Sequence, residues 1–155
     1  MANWTPNPSV NFEKIVAESV LPPLQLPISG ELTSSVSKYV FGAARVAGEV
    51  KDVWISVGAS GKDDTNPLQV TGEISINGTS CLSTKPSIAH VSGEASQQKT
   101  TAKIGDTGIA QAVLDYDNNT FVEGDVFTCD LTLVRTSSPT TEMSSIVVCV
   151  ELEPS

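Results

Sequence analysis

D-V-F-T-C-D-L-T-L-V-R (Asp125–Arg135) and M-S-S-I-V-V-C-V-E-L (Met143–Leu152) decide the fold class. In the first run Phe127, Cys129, Leu131 and Leu133 fall on one face, with Thr128, Asp130 and Thr132 on the other. In the second, Ile146, Val148, Val150 and Leu152 share a face opposite Val147, Cys149 and Glu151. A period of two marks a strand with one face buried. The intervening T-S-S-P-T-T-E is turn-forming, so the two strands are expected to pair as a hairpin. A pair this apolar must bury its inner face against a second sheet.

Working outward, Tyr39–Val46 reads as a first strand, and Val50–Val57 places Val53, Ile55 and Val57 on one face and Trp54 on the other. Gly58–Pro67 carries every turn signal. Leu68–Ile76 alternates with Leu68, Val70, Ile74 and Ile76 inward, and Asn77-Gly78 is a strong hairpin dipeptide that should fold Thr79–Ser83 back. Ser87–Val91 reads as a short strand, Ser92–Gly105 as a long polar loop. Ile109–Tyr116 reads as a strand with Ala110, Ala112, Leu114 and Tyr116 on one face, leading through Phe121-Val122 to the last two strands. The expected class is all-β, a two-sheet antiparallel sandwich spanning 38–155. Its core should hold Val53, Ile55, Val70, Ile74, Leu131, Leu133, Val148 and Val150, with Trp54, Phe41, Tyr116, Phe121 and Phe127 as the large fillers.

Residues 1–37 differ. They hold Pro6, Pro8, Pro22, Pro23 and Pro27, five of the nine prolines, which keep a chain extended and out of central strands. Residues 11–20 suit a short helix with Asn11 as N-cap and Phe12, Ile15, Val16 and Val20 as its stripe. The segment reads as an arm that docks on a neighbouring surface, its own domain or another subunit. The contact residues would be Trp4, Phe12, Ile15, Val16, Leu21, Leu24, Leu26 and Ile28.

Length and charge bound the function. The chain has 155 residues, 18 acidic and 9 basic, for a formal charge of -9. That length suits one domain, with or without an extension, and a real core. The acidity argues against nucleic acid, where phosphates need clustered cations, and against anionic membranes. No apolar run reaches membrane-span length. The first residues, M-A-N-W-T-P-N-P, lack the charged and apolar regions of a secretory signal, so synthesis in the cytosol is expected. Cys81, Cys129 and Cys149 show no metal-type spacing; buried thiols are expected, with a Cys129–Cys149 cross-strand disulfide as the alternative.

No cluster states a chemistry. His90 is the sole histidine and no G-x-S-x-G elbow accompanies it, so neither a triad nor a zinc site is expected. Asp115–Asp125 is oxygen-rich, but an EF-hand register starting at Asp115 puts Thr120 at the glycine position and Val126 at the bidentate glutamate position. It reads as a solvated turn capping its own backbone, with a weak cation site as the alternative. Asp63 and Asp64 are adjacent, and neighbouring carboxylates on an extended chain point apart, a poor geometry for acid/base work. Asn77-Gly78-Thr79 and Asn118-Asn119-Thr120 match the glycosylation acceptor pattern, which matters only on export. Trp4, Trp54 and Tyr39 have the chemistry to stack on a sugar, but Trp54 on a strand reads as core. No cofactor or metal is expected.

The segments A-G-E-V-K-D-V-W-I-S-V-G-A, N-P-L-Q-V-T-G-E-I-S-I-N-G-T and F-V-E-G-D-V-F-T-C-D-L-T-L-V-R through Pro154 resemble small jelly-roll proteins of tailed-bacteriophage virions, capsid decoration (cement) proteins or head-fibre bases. The resemblance covers roughly residues 40–153 and rests on turns and strands, such as the Gly-Asp turn opening the penultimate strand. It carries no site motif. It implies a jelly roll, often a homotrimer at a symmetry axis, that binds the major capsid protein on the virion surface after synthesis in the host cytoplasm. A fibre or adhesin module that recognises host glycan or protein through Gly58–Pro67 and Ser92–Gly105 is the alternative. A small hydrolase ranks below both.

Overall fold

The computed structural model describes residues 21–155, so the helix expected over 11–20 lies outside the described residues. Thirteen strands follow in chain order. They are β1 Leu24–Glu31, β2 Val36–Ala43, β3 Gly48–Ala59, β4 Gln69–Ile76, β5 Thr79–Ser80, β6 Leu82–Thr84 and β7 Ser87–Ala89, then β8 Lys99–Thr100, β9 Ile109–Ala110, β10 Val113–Leu114, β11 Thr120–Phe121, β12 Val126–Val134 and β13 Ser144–Pro154. No helix occurs among the described residues. One sheet runs β1-β13-β3, with β11 and β8 both on the far side of β3; the other runs β2-β12-β4-β7-β9. Every strand pairing is antiparallel. The chain is an all-β sandwich, and its neighbours in sequence, β1 and β2 or β12 and β13, fall in opposite sheets as in a jelly roll.

This placement corrects the hairpin expected of the two longest alternating runs. Each is instead the centre of its own sheet: β12 pairs with β2 and β4, β13 with β1 and β3. Two-sided pairing satisfies the backbone of both strands while their apolar faces meet across the sandwich. The connecting Arg135–Met143 is long enough to cross between sheets packed about 10 Å apart. Its base is closed by the guanidinium of Arg135, which donates from Nε to Glu142 Oε2 at 3.0 Å and pairs through its second nitrogen with Glu142 Oε1. Met143 is fully buried beneath it.

Alternation sets the core as expected. Val53, Ile55, Val70, Ile74, Leu131, Val148 and Val150 are buried, and Leu133 is half-buried against them. Phe121 and Phe127 meet edge to face at 5.0 Å. Two of the expected fillers do not enter. Trp54, between inward Val53 and Ile55, points out from β3 opposite Cys149 and is half-buried. Tyr116 is 79% exposed because the expected strand 109–116 is broken, with β9 pairing to β7 and β10 to β6. The expected Asn77-Gly78 hairpin forms, with φ of 49° and 83° at the two turn residues and β5 folded onto β4.

The sandwich starts at Leu24, not at Lys38. Leu24, Leu26 and Ile28 of β1 lie opposite Val150, Val148 and Ile146, on the inward side of β13. Leu26 is buried, and Leu24, Ile28 and Leu21 pack partly buried against the core. These side chains of the expected arm therefore contact their own domain. Proline excludes a central strand but not an edge, and β1 is an edge strand that takes Pro27 opposite Val147. Its pairing slips between Ile28 and Glu31, beside Gly30 at φ 78°. On the other sheet β2 is the edge, broken twice around Lys38 (φ 53°) and Gly42 (φ 133°). Trp4, Phe12, Ile15 and Val16 lie outside the described residues.

Leu26→Ala should cost about 2–4 kcal/mol, the usual range for a buried leucine in a packed core. Deleting residues 1–30 removes most of β1 and should lower the denaturant midpoint sharply, whereas deleting residues 1–20 leaves every described strand and should retain cooperative unfolding. Equal midpoints for the two truncations would show that β1 contributes nothing to stability.

Candidate functional site

At the end of the sandwich where β3 and β12 finish, three loops are tied into one body. Backbone N–H groups of Ser60 and Lys62 donate to Gln97 O and Thr141 O, each at 2.8 Å, and Thr141 N returns a bond to Lys62 O at 3.0 Å. Gly61 N donates to Ser96 Oγ at 3.0 Å, and Gln97 N to Ser60 Oγ at 3.1 Å. The loops 58–67 and 92–105, set far apart in sequence, thus share a hydrogen-bonded seam.

The two adjacent aspartates serve different partners there. Asp63, nearly buried, accepts from the backbone N–H groups of Thr65 (3.1 Å) and Asn66 (2.9 Å) and from the hydroxyls of Thr65 (3.0 Å) and Thr136 (2.9 Å). Partial desolvation pushes its carboxyl up, but the bonds from Thr136, Thr65 and Asn66 outweigh it and hold the pKa at about 2. Asp64 turns the other way. Its Oδ1 accepts from Gly93 N at 2.8 Å and lies 3.0 Å from His90 Nε2, and the bond from Gly93, then that from His90, lowers its pKa.

His90 is the remaining candidate for chemistry. Its side chain is only 1% exposed, and its bond to the Asp64 carboxylate, an acceptor, puts the proton on Nε2. Nδ1 is buried and without a hydrogen-bond partner. A general base needs its acceptor nitrogen in reach of the group it deprotonates. The buried Nδ1 of His90 is out of reach of solvent, and through Nε2 the residue ties Asp64 of the loop 58–67 to the end of β7.

The acidic run is a set of turns. Asp115 accepts from Asp117 N (3.1 Å) and Asn118 Nδ2 (2.7 Å), and Asp125 from Val122 N (2.8 Å) and Asn77 Nδ2 (2.7 Å). Asn119 is buried and donates to Val50 O at 3.1 Å. Among the described residues no three His, Cys, Asp or Glu side chains converge on a metal-sized site. The three cysteines are free and buried. Cys129 belongs to β12 and Cys149 to β13, in opposite sheets, which removes the cross-strand disulfide. Burial pushes the thiols of Cys81 and Cys129 up to about 12.

The opposite end carries an apolar recess of about 160 Å³ between Leu21, Leu24, Phe41, Phe121, Phe127 and Leu152. Val46, Val122 and Val126 around it are 42%, 59% and 37% exposed. The bonds Ala44 N to Asp125 O (2.7 Å) and Gly124 N to Ala44 O (2.9 Å) fix the loops that carry these valines. Leu21 and Pro22 form part of its wall, so residues 1–20 join the domain at this point. Sequence reasoning missed the recess because its walls come from five separate segments. Comparison with protein-family models, curated proteins and solved structures finds no match.

The depressed pKa of Asp63 gives the loop seam a pH dependence. A lowered folded-state pKa stabilises fully above the ordinary value of 3.8 and loses that contribution as pH falls through about 2. Native-state hydrogen exchange of the Thr65 and Asn66 amides should therefore accelerate across this acid window. Asp63→Asn should show fast exchange at neutral pH already, and slow exchange in that variant would remove the carboxylate from the account.

Proposed function

We propose that this chain is a virion structural protein, a decoration (cement) protein that seats its apolar end on the major capsid protein of a tailed bacteriophage. The observation that carries the reading is the apolar recess at the end of the sandwich where residues 1–20 join. Trp4, Phe12, Ile15 and Val16 in that segment, with Leu21 at the lip, supply the anchor. Burying one such side chain is worth roughly 1.5–3 kcal/mol, and ordering the segment offsets part of it. A repeating shell multiplies a modest single-site affinity, the more so for a homotrimer. The resemblance of residues 40–153 to virion jelly rolls supports the same reading, as does the seam of side-chain hydrogen bonds that gives every ionised aspartate in the loops a structural partner. The function is therefore binding rather than catalysis, and its place is the capsid surface after synthesis in the host cytoplasm.

The tied loops at the far end favour one second reading, a fibre or adhesin module presenting 58–67 and 92–105 to a host surface. A rigid polar end facing away from the shell suits both.

Antibody raised against the pure protein should decorate the heads of phage particles from the producing culture under immunogold microscopy. Label confined to tails or fibres selects the second reading, and unlabelled particles refute both. On particles lacking the protein, the full chain should co-sediment and the 1–20 deletion should stay in the supernatant, while His90→Ala should bind as the parent does. Equal sedimentation of the deletion would remove the segment as the anchor.

A further inference from the structure

The outer face of the sheet β1-β13-β3 carries a groove of about 450 Å³, within the size range of small-molecule sites. Its floor is made by Ser56 and Gly58 of β3 with Ser145 and Val147 of β13, and its wall by Gln98, Thr100, Lys103 and Asp106. Trp54 stands two residues from Ser56 on the same outward face of β3, the next position along the strand beyond those that line the groove, where no core packing requires it. We infer that this groove is a binding site for a neutral saccharide, with Trp54 as the stacking platform and the hydroxyl, amide and carboxylate groups of Ser56, Thr100, Gln98 and Asp106 as hydrogen-bonding partners. This goes beyond shell binding and does not depend on it.

Three features select that ligand class. A pyranose is two-faced, with C–H groups that pack on an aromatic plane and hydroxyls that both donate and accept, and the groove offers the same division. Trp54 and Val147 supply apolar surface; the wall and Ser56 supply paired donors and acceptors. Charge removes the alternatives. Of the two lysines that line the groove among the described residues, Lys99 is committed to Thr107, Ala89 and Glu94, which leaves one free ammonium, Lys103, beside one carboxylate, Asp106, so an anion meets Asp106 and a chain of net charge -9, and a cation meets Lys103. An uncharged, hydroxyl-rich ligand meets neither penalty.

The wall is held in place before any ligand arrives, which lowers the ordering cost of binding. Lys99, whose side chain is fully buried, anchors it by donating to Thr107 O at 2.7 Å, Ala89 O at 3.1 Å and Glu94 Oε2 at 2.8 Å. Asp106 Oδ2 accepts from Thr100 N at 2.8 Å, leaving Oδ1 for a hydroxyl. Ser56 Oγ and Thr100 Oγ1 sit 2.8 Å apart across the β3–β8 junction, a pair that presents both a donor and an acceptor. The floor stays low because a side chain at Gly58 would meet Ser145 Cβ at 2.8 Å.

The full chain carrying Trp4→Phe keeps Trp54 as its single tryptophan. Titrated with malto-, cello-, chito- and galacto-oligosaccharides at millimolar concentration, it should show a saturable change in emission with at least one of them. Saturation-transfer NMR on the same sugar should then show contact, and Trp54→Ala and Gln98→Ala should each weaken binding by about tenfold or more, with circular dichroism unchanged. Gln98 lies in the wall and outside the core, so that variant keeps the test open if Trp54→Ala unfolds. Silence across the sugar panel overturns the inference, and so does binding that neither substitution weakens.

Discussion

Everything in this structure depends on two strands that each bury one face at the middle of a sheet. The inward side chains of β12 (Phe127, Cys129, Leu131) and of β13 (Ile146, Val148, Val150) are buried, with Leu133 half-buried at the end of the first. Burial of that order is worth roughly 1.5–3 kcal/mol per large side chain, and it leaves no freedom of register. A one-residue slip of either strand would turn its whole apolar set to water. The remaining strands are ordered by this pair: β4 and β2 flank β12, and β3 and β1 flank β13. The loops, the recess and the groove inherit their positions from it.

Period and face were legible in the residues, and neighbours were not. Alternation in Val50–Val57, Leu68–Ile76 and the two final runs says which side chains go inward, because that is a property of one strand. Which strand lies beside which is a property of pairs, and T-S-S-P-T-T-E suits a crossing arch as well as a hairpin. The same limit explains Leu24, Leu26 and Ile28. Proline at 22, 23 and 27 correctly excludes a central strand, yet an edge position satisfies the same constraint, and only the position of β13 reveals that an edge is there to be filled. The apolar recess and the groove are legible in no window, since each is assembled from segments far apart in the sequence. Trp54 was half legible: alternation places it opposite Val53 and Ile55, but a large aromatic residue on a strand reads as core by composition.

Several charged groups here hold loops in place. Lys99 is an ammonium taken wholly out of solvent, which costs heavily unless its donors are used, and two backbone carbonyls with one carboxylate use them. Asp63 plays the same part at the loop seam. Such sites give a small sandwich fixed loops without disulfides, which agrees with three reduced cysteines spent as packing groups. The structure thus has three distinct regions: an end with an apolar recess, an end with tied loops, and a sheet face that carries Trp54.

The edge strands β1 and β2, one from each sheet, lie on the same side of the molecule, joined by the short link from Leu32 to Ser35. Proline and a slipped register interrupt one, and two left-handed residues break the other. Neither offers the straight row of free amides and carbonyls that a further strand would need. Along this side of the sandwich a second copy therefore finds no template for adding strand to strand, and any contact made there must use side chains.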